Sequence, residues 1–387
     1  MNAQPDTELR RPLWRRLLRW ATWICASLAG LGVLILIVLV AINWQDEALT
    51  PEAQAWLAVP PNTVPDAENA WLAMIAIGVE KQPGTTVGRQ IIERLKESPN
   101  PPDMAETYLS QFGPAWQNSG IDASLCNVRQ NGPDVLPCIL AKQAELKKLV
   151  SQQQPALARY YAAIALPGFH EEDASSMTVF LPYAPGSKAA SLARIDLALR
   201  LQAGDRAAEA RFAQHMHYWL TALEQSHTLL GAMIATTQIR SDQALLQGML
   251  ENKNRGAAQV LQSLRGDLQD FSVLDESAIQ QRLLAGELRL MRNTLDNDLG
   301  KAGVRKHGHW VLRLVYHPQA TLNQQQFMMT HPDESATTCD MFQWHYAYNP
   351  IGKILACIGA PRYQQYFVRI RATQDEAVRL LAQSPGA

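Results

Sequence analysis

The residues best suited to chemistry in this chain are its nine histidines, which bind metals and move protons near neutral pH. His215 and His217 are two apart in a stretch that reads as helix. Two helical steps rotate by about 200°, so the rings face nearly opposite sides and cannot chelate one ion. Glu224 and His227 make one Glu-x-x-His, the spacing of carboxylate-bridged di-iron sites, but such a site needs two copies. No other histidine has a glutamate three residues before it, so an ordinary polar pair is expected. His170-Glu171-Glu172-Asp173-Ala174 begins like a zinc-protease helix and fails where Ala174 replaces the second histidine. A solvated acidic loop is expected there. His307, His309 and Trp310 lie in a basic loop with Lys301, Arg305 and Lys306, read as exposed. Phe342, Trp344, His345, Tyr346 and Tyr348 cluster near the C-terminus and are read as filling for a cross-linked loop. The chain contains no G-x-S-x-G, S-x-x-K, G-x-G-x-x-G or phosphate-loop pattern. No catalytic residue, cofactor site or metal site is therefore assigned.

The five cysteines say more about surroundings than about catalysis. Cys25 falls in an apolar run. Cys126 with Cys138 and Cys339 with Cys357 form two local pairs, and an even count outside that run suggests two disulfides on an oxidising side of a membrane. Four cysteines permit three pairings. The local pairing closes the shortest loops, each adding roughly 3 kcal/mol on the chain-entropy view. The spacing resembles no zinc finger or ribbon.

Positioning begins with the apolar run itself. Ala21 to Ile42 is 22 residues without Asp, Glu, Lys, Arg or His. As a helix it spans roughly 33 Å, close to the ~30 Å hydrocarbon core. Arg10, Arg11, Arg15, Arg16 and Arg19 precede it, while Asp46 and Glu47 follow, so the positive-inside rule puts the N-terminus in the cytoplasm. Trp14, Trp20, Trp23 and Trp44 mark the two interfaces. The run exceeds a signal-peptide core of about 7–15 residues and no small-x-small cleavage site follows it. An uncleaved single-pass anchor is expected. Residues 1–20 carry +3, so the formal net charge of −1 leaves −4 for the rest. That balance indicates no nucleic-acid surface. The absence of an N-x-[S/T] acceptor points to a bacterial inner membrane with the body in the periplasm.

The body reads as helix almost throughout. Thr50-Pro51-Glu52 is an N-cap, a first-position proline and an acid at the positive end of the dipole. Asp66 is expected to open a helix running to about Glu80. A third helix ends at Ser98, and Asp103 caps a short one to about Phe112. Helices follow over Cys138 to Gln152 and Ala156 to Leu166. Ser187 to Asn252 carries a helix, an Ala-Gly-Asp turn and two more helices. Asp275 to Leu299 and the segments after Asn349-Pro350 and Tyr363 complete the set. Leu166 to Ser187 is the least helical stretch, with one short strand possible over Met177 to Tyr183.

The expected fold is mainly α: a single N-terminal transmembrane helix and an irregular multi-helix extracytoplasmic array. The expected divisions are a basic tail (1–20), an anchor (21–42), a helical lobe (43–166), a loop or flap (167–188) and a second lobe (189–387). The expected role is non-enzymatic docking or scaffolding in the bacterial envelope, with the bilayer contacted through residues 21–42 and a protein partner. The alternative is an enzyme or small-ligand-binding domain with its site in the cleft near residues 166–188.

Overall fold

A computed structural model describes residues 13–78, 84–97, 126, 132, 134–173, 183–296, 315–332, 339, 347–359 and 363–383. Among the described residues the structure is 80% helical, with 16 helices and no strands. Helix α1 (Leu13–Ile42) is 30 residues long. Its segment Leu17–Ile42 is long and apolar enough to cross a membrane, and none of its best window is buried by the protein. The helix starts before the apolar run and carries Arg15, Arg16 and Arg19 as helix too.

Thr50 caps α2 (Pro51–Leu57) as expected, its side chain accepting from Ala53 N. The helix expected to open at Asp66 is instead broken. Asp66–Glu68 forms one 3-10 turn, and α3 (Ala70–Ile75) starts only after Asn69, whose side chain accepts from Trp71 N. Asn69 is fully buried and also bonds the chain at His170. A distant partner thus stops the helix, which helical periodicity cannot reveal. Next come α4 (Gly84–Glu97), α5 (Val135–Ala141), α6 (Gln143–Gln152) and α7 (Gln154–Ile164).

The centre of the body is α8 (Tyr183–Gln202), with α9 (Arg206–Gln225) and α10 (Leu229–Glu251) packed on it. Leu192, Ala193, Ile195, Leu197, Ala198 and Leu199 are all buried, and so are Arg194 and Asp196, so most of the circumference of α8 is covered by its neighbours. Asp205 caps α9 by accepting from Ala207 N, and Thr228 caps α10 by accepting from Gly231 N. The helices α11 (Arg255–Ser263), α12 (Arg265–Ser272), α13 (Glu276–Thr294), α14 (Pro318–Thr330), α15 (Pro350–Gly359) and α16 (Gln364–Ala382) complete the array. Of these α11, α12 and α14 were not expected. Each is short or lacks an apolar stripe strong enough to stand out. Most buried residues from Trp56 to Ile164 and from Ala189 to Leu380 form one core, and Met328 with Ala356 form a small second cluster.

Two glycines fix the closest approaches. A methyl group on Gly88 of α4 would overlap the Leu72 carbonyl, and one on Gly286 of α13 would overlap the His227 carbonyl. Polar burial fixes the centre. The Arg194 guanidinium, 1% exposed, donates from Nε to Asp242 Oδ1 at 2.5 Å and also bonds Gln238. His215 Nε2 lies 3.0 Å from the other Asp242 oxygen, in poor alignment for a hydrogen bond. Its Nδ1 meets the Tyr160 hydroxyl at 2.6 Å, which accepts from Trp219 Nε1 at 3.0 Å. Burial pushes Asp242 up, but Arg194 and His215 outweigh it and hold the carboxyl below its ordinary range.

Candidate functional site

Gly168 to Asp173 forms a strap across the body. Its entry is one parallel bridge between Asn69 and Gly168, closed by Ala70 N to Gly168 O at 2.8 Å and Gly168 N to Glu68 O at 3.0 Å. The Asn69 amide donates to His170 O at 2.9 Å and accepts from His170 N at 3.1 Å. Phe169 then turns into the core against Tyr218.

The acidic run that follows is not the solvated loop expected from sequence. Glu171 has no exposed surface. Its carboxyl accepts from Thr228 N at 2.9 Å, the Thr228 hydroxyl at 2.7 Å, His227 N at 2.6 Å and the Tyr183 hydroxyl. It therefore sits at the N-terminus of α10, where orphan amides and the helix dipole favour an acceptor. Burial pushes Glu171 up despite these bonds. Glu172 accepts from Lys96 at 2.6 Å and from Arg89, both on α4. Asp173 accepts from Arg289 Nε on α13 at 2.7 Å. Arg289 also reaches the Trp56 carbonyl, and Arg292 the Leu57 carbonyl. Three consecutive side chains of the strap thus join α4, α8, α10 and α13. Each carboxylate found a cation or a helix terminus, so exposure to water was unnecessary.

The chemistry this site can perform is limited. His170 and His227 meet edge to face at 5.4 Å between centroids. Burial pushes His227 down to about 4 and lowers His170 as well, so both rings are neutral at pH 7. The neighbouring hydroxyls of Thr228 and Tyr183 are donated to Glu171, which leaves neither ring a hydroxyl nucleophile to activate as a triad base would. Among the described residues, no three His, Cys, Asp or Glu side chains converge to hold a metal. His227 does not pair with Glu224, which is exposed. His215 is buried and His217 is exposed beside Asp267, the opposed placement their spacing predicted. The cavity beneath the strap, between Trp71, Met74, Phe169, Glu171, Tyr183 and Tyr218, holds about 20 Å³, room for roughly one water.

A larger concavity lies between α10 and α16. It holds about 470 Å³, within the ~300–1,000 Å³ of small-molecule sites. It is lined by the apolar Leu229, Met233 and Ile370 and by Arg240, Tyr366 and Arg369. Sequence reading missed it because it joins two helices more than 100 residues apart.

The third notable region is the exit of α1. Asn43, 2% exposed, donates to Ala347 O at 2.8 Å and accepts from Asn349 N at 2.9 Å. Asp46 accepts from Gln319 N at 2.9 Å and Ala320 N at 3.0 Å, which caps α14. Glu47 accepts from the Asn323 amide at 3.0 Å, and its own N–H donates to the Tyr348 hydroxyl. The residues that sequence reading used only as a charge flank are thus structural fasteners.

The proposed cysteine pairs are both at disulfide distance in the local pairing, with Cα–Cα of 5.4 Å for Cys126–Cys138 and 5.6 Å for Cys339–Cys357; Cys25 is free. Of the aromatic cluster only Tyr348 is described; it stacks on His317 at 5.0 Å. The basic loop at 301–309, the helix expected from Asp103 and the strand expected at Met177 lie outside the described residues. Comparison with known proteins gives no match: no family model, no curated protein and no solved structure is similar to this chain.

Proposed function

We propose that this chain is a non-enzymatic scaffold of the bacterial cell envelope. The anchor α1 crosses the inner membrane with its N-terminus in the cytoplasm. The helical body stands in the periplasm and docks a protein partner there. The observation that carries this reading is the exit of α1, where Asn43, Asp46 and Glu47 bind directly into α14 and α15. A body so fastened is held at one height and orientation above the bilayer, which suits docking. Glu171, Glu172 and Asp173 of the strap each bind a neighbouring helix, and the cavity beneath them holds about 20 Å³, which favours a structural role for them. Cross-linking in intact membranes followed by gentle solubilisation tests the reading. A stoichiometric partner is expected; repeated recovery of the protein alone sinks it. A reporter active only outside the cytoplasm, fused after Ala387, is expected to be active.

A second reading has its own observation. The alternative placed a ligand in the cleft near residues 166–188, where the cavity is about 20 Å³. The groove of about 470 Å³ with Arg240 and Arg369 in its lining instead suits a small anion with an apolar part. Melting of the full chain with and without succinate or inorganic phosphate tests it, since a ligand of the folded state raises Tm. A rise that Arg240→Gln abolishes favours this reading; no shift with either anion counts against it.

A further inference from the structure

The junction that fastens α1 also brings an apolar edge of the body to the level of the membrane surface. Asn349 N lies 2.9 Å from Asn43 Oδ1, one residue beyond the end of α1 at Ile42. Asn349 is also the residue from which α15 starts, its carbonyl accepting from Lys353 N at 3.0 Å. The first turns of α15 therefore begin where the hydrocarbon core ends. At ~1.5 Å per residue, Ile351 lies about 3 Å and Ile354 about 8 Å along the helix from Asn349. The headgroup layer of one leaflet is roughly 5–8 Å thick, so both fall within its reach even with α15 upright.

Exposure and chemistry agree with that position. Trp44 is 73% exposed, Ile354 41% and Ile351 36%. Ile351 and Ile354 are three apart, so they share one face of α15. Beside them stand the Tyr348 ring, stacked on His317, and Lys353, whose Nζ lies 5.8 Å from the Tyr348 centroid. Aromatic rings and a lysine around an apolar edge are the composition of a membrane–water interface. The acids at the same exit do not oppose it. The Asp46 carboxylate faces the N-terminal amides of α14, and Glu47 faces Asn323.

We propose that Trp44 and the Ile351–Ile354 edge of α15 lie in the lipid headgroup layer, so the body rests on the bilayer with its own surface. This inference rests on α1 spanning a membrane. Two contacts, the span and the edge, then set both the height and the tilt of the body.

Depth-dependent quenching on the full chain tests it. In a Cys25→Ser background, an environment-sensitive fluorophore is placed through Ile354→Cys, Ile35→Cys in the anchor, or Val273→Cys, an apolar residue 77% exposed at the end of α12. Each protein is reconstituted into phosphatidylcholine–phosphatidylglycerol vesicles carrying a shallow or a deep nitroxide lipid. The Ile354 reporter is expected to be quenched several-fold more by the shallow lipid than the Val273 reporter, and the Ile35 reporter by the deep lipid. Quenching at 354 equal to that at 273, with 35 quenched, overturns the inference and spares the anchor. An unquenched Ile35 reporter overturns both. If Ile354→Cys misfolds, shown by loss of helicity, Ile351→Cys takes its place with the same expected and overturning results.

Discussion

Replacing Asp242 by asparagine should destabilise the body more than any other near-isosteric change. The substitution leaves the volume unchanged and creates no cavity. It removes the negative charge facing Arg194, which is 1% exposed, and His215, which is fully buried. Arg194 keeps its bonds to the Gln238 carbonyl and side chain but loses its counter-charge. Breaking one partner of a buried pair costs about 3–5 kcal/mol, because the remaining charge is left uncompensated. Domain stabilities run to about 5–15 kcal/mol, so a fifth or more of the total is at stake. With a urea slope of about 3 kcal/mol/M, the midpoint should fall by about 1–1.7 M. The assay is urea unfolding of the full chain in detergent, followed by far-UV circular dichroism with disulfides intact. Arg194→Met combined with Asp242→Leu removes both charges and should recover most of the loss, since apolar replacement of a whole buried pair is often neutral. A midpoint for Asp242→Asn unchanged from the parent refutes the reasoning. So does a double variant as unstable as the sum of the singles.

Stability should also depend on pH through His227. Burial lowers its folded pKa to about 4, against ~6.5 when unfolded. Between those values the unfolded chain binds a proton that the folded chain refuses, so stability present in full above pH ~6.5 falls as pH drops towards 4. The ring is only partly buried, and solvent screening reduces the effect to on the order of 1–2 kcal/mol. Glu171 and Glu287, pushed up by burial, act in the opposite sense. The check is therefore the difference between the parent and His227→Asn: urea midpoints at pH 7 and pH 4.5 should fall less in the variant. Gly286→Ala should cost more than about 2 kcal/mol, because its methyl group meets a backbone carbonyl that cannot rotate away; an unchanged midpoint contradicts the observed approach to His227 O. Thiol alkylation of the unreduced, denatured chain should modify Cys25 alone, read by mass, and modification of all five cysteines ends the disulfide assignment.

What the sequence made legible was set by local physics. The apolar run, the cap at Thr50, the Ala-Gly-Asp turn and the helix start at Asp275 all depend on neighbours in the chain, and each stands where it was read. The local cysteine pairing rested on short loops and stands as well. The failures share the opposite property. The helix expected from Asp66 breaks at Asn69 because of a partner 101 residues away. The acidic run at Glu171 reads as solvated because its neighbours in the chain are polar. Its actual partners lie 12 to 116 residues away or more than 70 residues upstream, on helices that meet only in the folded chain. The groove between α10 and α16 has the same origin.

That contrast bears on the role of the strap. A carboxylate placed at a helix N-terminus with an adjacent histidine pair resembles catalytic equipment when it is seen alone. The distinguishing feature is where the donors come from. Glu171 receives its bonds from α8, from Thr228 and from His227, while Glu172 and Asp173 draw theirs from α4 and α13. A catalytic carboxylate needs at least one acceptor site turned towards a substrate, and the space beneath the strap admits about one water. Three successive acids, each bound to a different helix, instead fix the relative positions of those helices. Helix α13 continues the chain of contacts, since it packs on α2 and α14, and α14 is capped by Asp46 at the exit of α1. The strap and the anchor exit are thus two ends of one rigid frame. A body built this way couples the orientation of α1 to surfaces far from it, as the proposed docking role requires.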